Sequence, residues 1–436
     1  MLSRFRKTVV TAVSLLLVAS IIGCGGNNRS NSQAPGSELS AQDVNQATKF
    51  VAATKMEAEA LVKLVNAAVA HQDVSAFNAL IDEARMVDRI LAGFELTEKF
   101  RTGFMQGMRE GGGLTNLSSE IIGTVQRGGD YTFVRMIQKG DELRPLFRLV
   151  LPDSGGMNYH ELIVTVDASR QPRIADIDVH LSGELLSQSI RRLVLPAVAA
   201  EDSGILAKLT GAESEFLNNV ATLKKISELN KEQKPQEAMA LFASLPETLQ
   251  KDKTVLLTKL LVAQSLGDAE YSGVISDLER YFPNDTARDF RAMDLLAIQG
   301  QHEELIKTVD RLIAVIQDPY LNTLKIDALL ALNRLEEARK SVREAKAAAP
   351  DRIDVYWVEI AMTLKVKDYA ATAALLDEIG EKFGMTFNDL TTVPEYADFA
   401  ASDIGKDWMA RQAEAAAAQT SPSDTPASPV PGAPTP

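Results

Sequence analysis

Apolar residues early in the chain fall at three- and four-residue steps. Phe50, Ala53, Ala60, Leu61, Leu64, Val65 and Ala68 make one stripe, and Phe77, Leu80, Ile81, Ala84, Val87, Ile90 and Leu91 a second. This period predicts amphipathic helices over residues 42–110, broken at His71-Gln72-Asp73. After Gly111-Gly112-Gly113 the alternation shortens to two and predicts strands at Ile121–Arg127, Tyr131–Gln138, Leu143–Leu151, His160–Asp167 and Arg173–Leu181. The breaks between them, Gly128-Gly129-Asp130, Lys139-Gly140-Asp141, Pro152 to Gly156 and Ser169 to Pro172, are turn chemistry short enough for an antiparallel meander. A closing helix is expected at Glu184–Val194, before Pro196. Helices followed by an antiparallel sheet predict an α+β domain over residues 42–198, with the helices covering one face.

A different rule governs the second half. Ala238, Ser272, Leu305, Ala338 and Thr372 stand early in the second helix of successive candidate hairpins, at separations of 34, 33, 33 and 34 residues. Breakers recur in step at Pro283, Asp318-Pro319, Pro350 and Gly384. Turns within hairpins are expected at Lys234-Pro235, Gly267-Asp268, Gly300-Gln301, Asn333-Arg334 and Lys367-Asp368. A constant period of this length marks helical-hairpin repeats. The clearest copy is Leu332 to Arg352, in which Ala338 is small enough to let two helices approach while Val342 and Ala345 continue its face. Ala338, Val342, Ala345 and Pro350 resemble the signature of tetratricopeptide repeats, and the next copy opens with Tyr356-Trp357 where that family favours an aromatic. The resemblance implies an all-α repeat solenoid over residues 205–390. Trp408 and the Ala-rich stretch after it are expected to form a capping helix within residues 391–419, followed by a disordered Pro/Ser/Thr-rich tail at 420–436. For the first domain, element order alone resembles the cystatin or nuclear-transport-factor-2 type of folded sheet.

The first residues ask for a separate explanation. Arg4, Arg6 and Lys7 precede an uncharged run, Thr8 to Ile22, that is too short for a comfortable membrane span of roughly 20 residues and has the dimensions of a secretory leader. It ends at Cys24, the one cysteine of the 436 residues, which rules out an internal disulfide and a two-cysteine metal clip. Ile21-Ile22-Gly23-Cys24 resembles the lipobox of bacterial lipoproteins. The resemblance implies a signal peptide over residues 1–23, cleavage between Gly23 and Cys24, and lipid attachment at Cys24. An ordinary leader cut nearby, or an uncleaved anchor, remains the alternative. Gly25, rather than the Asp that favours inner-membrane retention in that family, points to the outer membrane, with the protein facing the periplasm. Residues 24–41 have almost nothing to bury and are expected to be a flexible tether, with a reach of about 20–25 Å.

Composition narrows the function. With 45% hydrophobic residues the chain can build real cores, and its net charge of -13 argues against a nucleic-acid partner. Only His71, His160, His180 and His302 are available for metal or acid–base work. The most site-like constellation is Asp176, Asp178 and His180, which strand alternation puts on one face. Such a set could ligate a divalent metal. The competing expectation is a solvated sheet face, with Ala175, Ile177, Val179 and Leu181 in the core. His160 begins a neighbouring strand and could approach the same face. Gly111 to Gly113 lacks the Lys and Ser/Thr of a phosphate loop, and no nucleophile elbow is present.

These features together lead us to expect a non-catalytic, cofactor-free envelope lipoprotein. It would be held to the membrane through its N-terminal lipid and bind an envelope protein or peptide through its repeats. The alternative is an α+β domain that binds or hydrolyses a small molecule, with the repeats as a positioning module.

Overall fold

Thr54 sets the start of the first helix: its hydroxyl accepts from the Glu57 amide at 3.3 Å while Glu57 accepts from the Thr54 amide at 2.8 Å, a reciprocal cap. The computed structural model describes residues 53–94, 96–110, 113–152, 156–201, 211–283, 285, 287–387 and 389–420. The expected leader, Gly23, Cys24, the tether and the tail after Thr420 lie outside the described residues.

Among the described residues five helices precede the sheet: α1 (Lys55–Ala70), α2 (Val74–Ala79), α3 (Glu83–Ile90), α4 (Glu98–Glu110) and α5 (Gly113–Gln126). The last corrects the expected strand at Ile121–Arg127. Its β-branched run favours a strand, but Leu114, Leu117, Ile121 and Ile122 are buried at helical intervals, and that periodicity prevails.

The sheet is an antiparallel meander in the order β1-β2-β3-β4-β5: β1 (Asp130–Lys139), β2 (Glu142–Val150), β3 (Met157–Val166), β4 (Pro172–Val179) and the short β5 (Glu184–Leu185). Two register shifts shape it. Val134 is the extra residue on β1, between the Phe133↔Phe147 and Arg135↔Leu146 pairs. Ala175 is the extra residue on β4, between the partners of Ile163 and Val164. Beside this second bulge the free edge of β4 is closed by chain from the α2–α3 connection: Ile174 donates to Leu80 O at 2.7 Å and accepts from the Asp82 amide at 2.8 Å. Helix α1 lies across all four long strands. Phe77 of α2 packs on Tyr131, which stacks on Phe147 at 5.0 Å. Helix α6 (Leu186–Glu201) follows, and it runs through Pro196 where the sequence suggested a stop.

Helices then account for the chain from α7 (Gly211–Asn218) onward. Pairs pack side by side: α8 (Val220–Lys231) with α9 (Pro235–Ser244) and, after the single turn α10 (Glu247–Gln250), α11 (Lys253–Gln264) with α12 (Asp268–Tyr281), then α13 (Arg288–Ile298) with α14 (His302–Ile316). The molecule divides into two compact units, one ending at Ile316 and one beginning at Gln317. In the second unit a 3₁₀ segment (Pro319–Lys325) and α15 (Ile326–Ala331) pack on α16 (Leu335–Ala348), α17 (Ile353–Lys365) packs on α18 (Tyr369–Phe383), and α19 (Ala397–Ala401) packs on α20 (Asp403–Thr420).

Positive-φ residues stand at the turns that close these pairs. Gln233, Gly267, Gly300, Asn333 and Lys367 all have positive φ, at steps of 34, 33, 33 and 34 residues. In four of the five the next amide reaches back to the last helical turn: Lys234 to Leu229 O, Gln301 to Leu296 O, Arg334 to Leu329 O and Asp368 to Thr363 O, at 2.8–2.9 Å. This is the left-handed cap that satisfies carbonyls a helix end leaves open. The spacing matches that of the small-residue positions, of which Ala238, Leu305, Ala338 and Thr372 are buried and Ser272 is half-buried. At the C-terminal end Trp408 is buried among Phe387 and Phe399, and its indole donates to Asp377 at 2.7 Å.

Candidate functional site

The β3–β4 register decides which of the candidate residues meet. Glu161 lies opposite Asp178, and His160 lies opposite Val179. Alternation then puts Asp178, His180, Glu161 and Tyr159 on one face of the sheet and His160 on the other. A pocket shared by the two histidines is therefore not formed.

On its own face His160 is fully buried beside Tyr131, and Asn158 Nδ2 lies 3.2 Å from its Nε2. Burial, reinforced by His180, pushes this imidazole down to about 3. It is a neutral core residue.

The opposite face carries an ion-pair cluster centred on Glu161. This carboxylate is 1% exposed; Lys139 Nζ is 2.7 Å away, Arg144 Nη1 3.1 Å and His180 Nε2 3.5 Å. Burial alone would raise Glu161, but hydrogen bonds from His180 and Lys139 outweigh it and hold the carboxyl at about 2. Lys139 also lies 3.4 Å from Asp178, and Arg144 is shared with Glu142 at 2.6 Å. The positive charge that two facing carboxylates demand is thus supplied by Lys139, which lies within ion-pair reach of both. Among the described residues no group of three or more His, Cys, Asp or Glu side chains is placed to hold a metal ion.

Asp176 belongs to the same strand and does different work. It is fully buried, which corrects the expectation of a solvated face. Ser187 donates to it through its hydroxyl at 2.6 Å and its amide at 3.1 Å, the Ile177 amide donates at 2.8 Å, and Arg89 lies at 3.5 Å. Burial pushes this carboxyl up against the pull of Ser187 and Arg89. The residue ties α3 and the first turn of α6 to β4, an anchoring role in which an acceptor meets donors that would otherwise be orphaned.

Helices of the second half cover the charged face. Phe290 of α13 meets Tyr159 at 5.8 Å and the His180 ring at 6.5 Å, and Arg291 reaches Leu181 O at 3.5 Å. Arg291 is itself buried and shares Asp285 with Lys253, at 2.8 and 2.9 Å. Helix α11 accordingly buries residues around most of its circumference, Thr254 to Leu257 and Leu260 to Ala263.

Lys139, Arg144 and Glu161 escaped notice in the sequence. The available signal was Glu161 itself, a lone charge within an apolar ten-residue strand, which burial makes costly unless partners are waiting. His71 is exposed at a helix turn and His302 half-buried at the start of α14. Among the described residues no helix is long and apolar enough to cross a membrane. Comparison with protein families, curated proteins and solved structures returned no match.

Proposed function

We propose that the protein is a lipid-anchored envelope lipoprotein whose tetratricopeptide-like helical pairs bind another envelope protein or peptide without catalysis. The supporting observation is the positive-φ turn residue that recurs at 33- and 34-residue steps from Gln233 to Lys367, with the left-handed cap at four of the five. It is the turn that a stack of similar hairpins requires, since each pair buries its apolar stripe only against a neighbour. The charged face of the sheet does not compete for this role. Its carboxylates and cations satisfy one another, and Phe290 covers His180.

Because the sheet takes up α13 in the first unit, we place the partner surface on the second. Photo-crosslinkers at exposed Lys340, Lys365 and Glu381, with exposed Lys224 and Glu270 of the first unit as controls, test this in intact cells. Reproducible capture of one envelope protein from the second-unit positions alone supports the scaffold. Capture from neither set counts against it. Mass spectrometry of the native N-terminus tests the anchor: a diacylglyceryl-modified Cys24 as first residue is expected, and an N-terminus without acylated Cys24 would overturn it.

A further inference from the structure

Helix α4 is bound more loosely than its neighbours. Phe100, Phe104 and Met108 stand four residues apart on one face, with Met105 beside them, yet only Met108 is buried and the other three are half-exposed. A Cβ at Gly103 would meet nothing within 4 Å. Packing therefore gives no reason for a glycine that weakens a helix interior. Besides the buried Met108, two ion pairs hold the helix: Arg101 pairs with Asp88, and Arg109 Nε reaches Glu83 Oε2 at 2.7 Å, both partners lying on α3. These pairs are partly exposed and hence weakened by salt.

We propose that α4 is a detachable amphipathic strap whose released form docks on an anionic lipid surface, Arg101 and Arg109 exchanging the carboxylates of α3 for lipid phosphates while Phe100, Phe104, Met105 and Met108 enter the acyl boundary. Charge complementarity favours this occupant. The helix carries Lys99, Arg101 and Arg109 against Glu98 and Glu110, a local excess of positive charge on a chain whose net charge is -13. A helix with an apolar face and basic flanks lies in a bilayer interface, its arginines extending to the headgroups. The proposal rests on the lipid-anchored reading in one respect: the tether supplies the bilayer.

The test uses the chain without its leader, residues 24–436 carrying Cys24→Ala, so that neither the apolar leader nor an acyl group contributes, with phosphatidylglycerol vesicles and neutral phosphatidylcholine vesicles as the contrast. Binding is expected to the anionic vesicles alone, to fall with added salt, and to weaken by about tenfold in Phe104→Asp. Hydrogen exchange on the otherwise unaltered sequence should show residues 98–110 slowed by anionic vesicles while β3 is unchanged. Equal binding to both vesicle types, unchanged binding by Phe104→Asp, or exchange in α4 indifferent to vesicles would overturn the strap. Acylation of Cys24 is measured separately by mass spectrometry of the native N-terminus. Failure of the anchor and failure of the strap are therefore distinct results.

Discussion

Arg135 Nε donates to the carbonyl of Ile316 at 2.8 Å across 181 residues of sequence. Its Nη2 takes the carbonyl of Val315 at 3.1 Å. The bulge at Val134 turns the side chain toward α14, which has no basic residue of its own in its last turn. A guanidinium at this end satisfies open carbonyls and complements the helix dipole. Arg135→Ala is expected to destabilise the first unit by roughly 1–3 kcal/mol. Chemical denaturation measures the loss, and hydrogen exchange should localise it to the last turn of α14. Arg135→Lys, which cannot reach two carbonyls as a fork, should recover only part.

Acid sensitivity should appear in two windows. His160 is held at about 3 against an ordinary 6.5, so the unfolded chain takes up a proton that the folded one refuses. Stability is then lost progressively as pH falls from 6.5 toward 3. Unfolding measured against pH should show this slope, and His160→Gln should flatten it.

Glu161 adds a second window at lower pH. Its folded value of about 2 lies below the ordinary 4.5, so its contribution is fully present above 4.5 and fades as pH drops toward 2. Lys139→Met removes one of the groups that hold it down and should move this window upward. A profile identical to that of the unaltered protein would mean that Arg144 and His180 suffice.

The turn positions give a paired prediction of opposite sign. Gln233, Asn333 and Lys367 adopt φ of 59°, 57° and 58°, a region that disfavours side chains. Replacing any one by Gly should stabilise by roughly 0.5–1 kcal/mol, whereas Gly267→Ala or Gly300→Ala should destabilise by about 1 kcal/mol. Thermal denaturation of the five variants decides whether the turns are equivalent.

At the C-terminal end the close approach is steric. A Cβ on Gly405 would lie 1.9 Å from Phe399 O. Gly405→Ala should therefore dislodge α20 and expose Trp408, seen as a red shift in tryptophan fluorescence. Unchanged emission would mean that the backbone yields there.

Several features were legible in the residues. The periodic helices α1 and α3, the meander from Tyr131 onward and the positions of all five hairpin turns follow from short-range pattern, because turn and cap energetics depend on neighbours in sequence. Ile121 to Arg127 has strand propensity within a helical periodicity, and there local preference yielded to the burial of Leu114, Leu117, Ile121 and Ile122; α6 runs through the expected breaker Pro196. At the candidate site Asp178 and His180 were visible by alternation. Their partners Glu161 and Lys139 were not, since pairing across strands depends on register.

The sequence by itself determined the periodicities: where helices alternate with turns, where the sheet begins, and that helix turns in the second half fall at steps of 33 or 34 residues. These are consequences of bonds and side chains close along the chain. Only the tertiary structure decided that His160 and His180 lie on opposite faces, that Lys139 neutralises Glu161 and Asp178, and that Phe290 covers the charged face. The one-residue bulges at Val134 and Ala175 are the physical reason. Each shifts its strand's pairing by one residue, and no pattern read along a single strand records the partner it will meet.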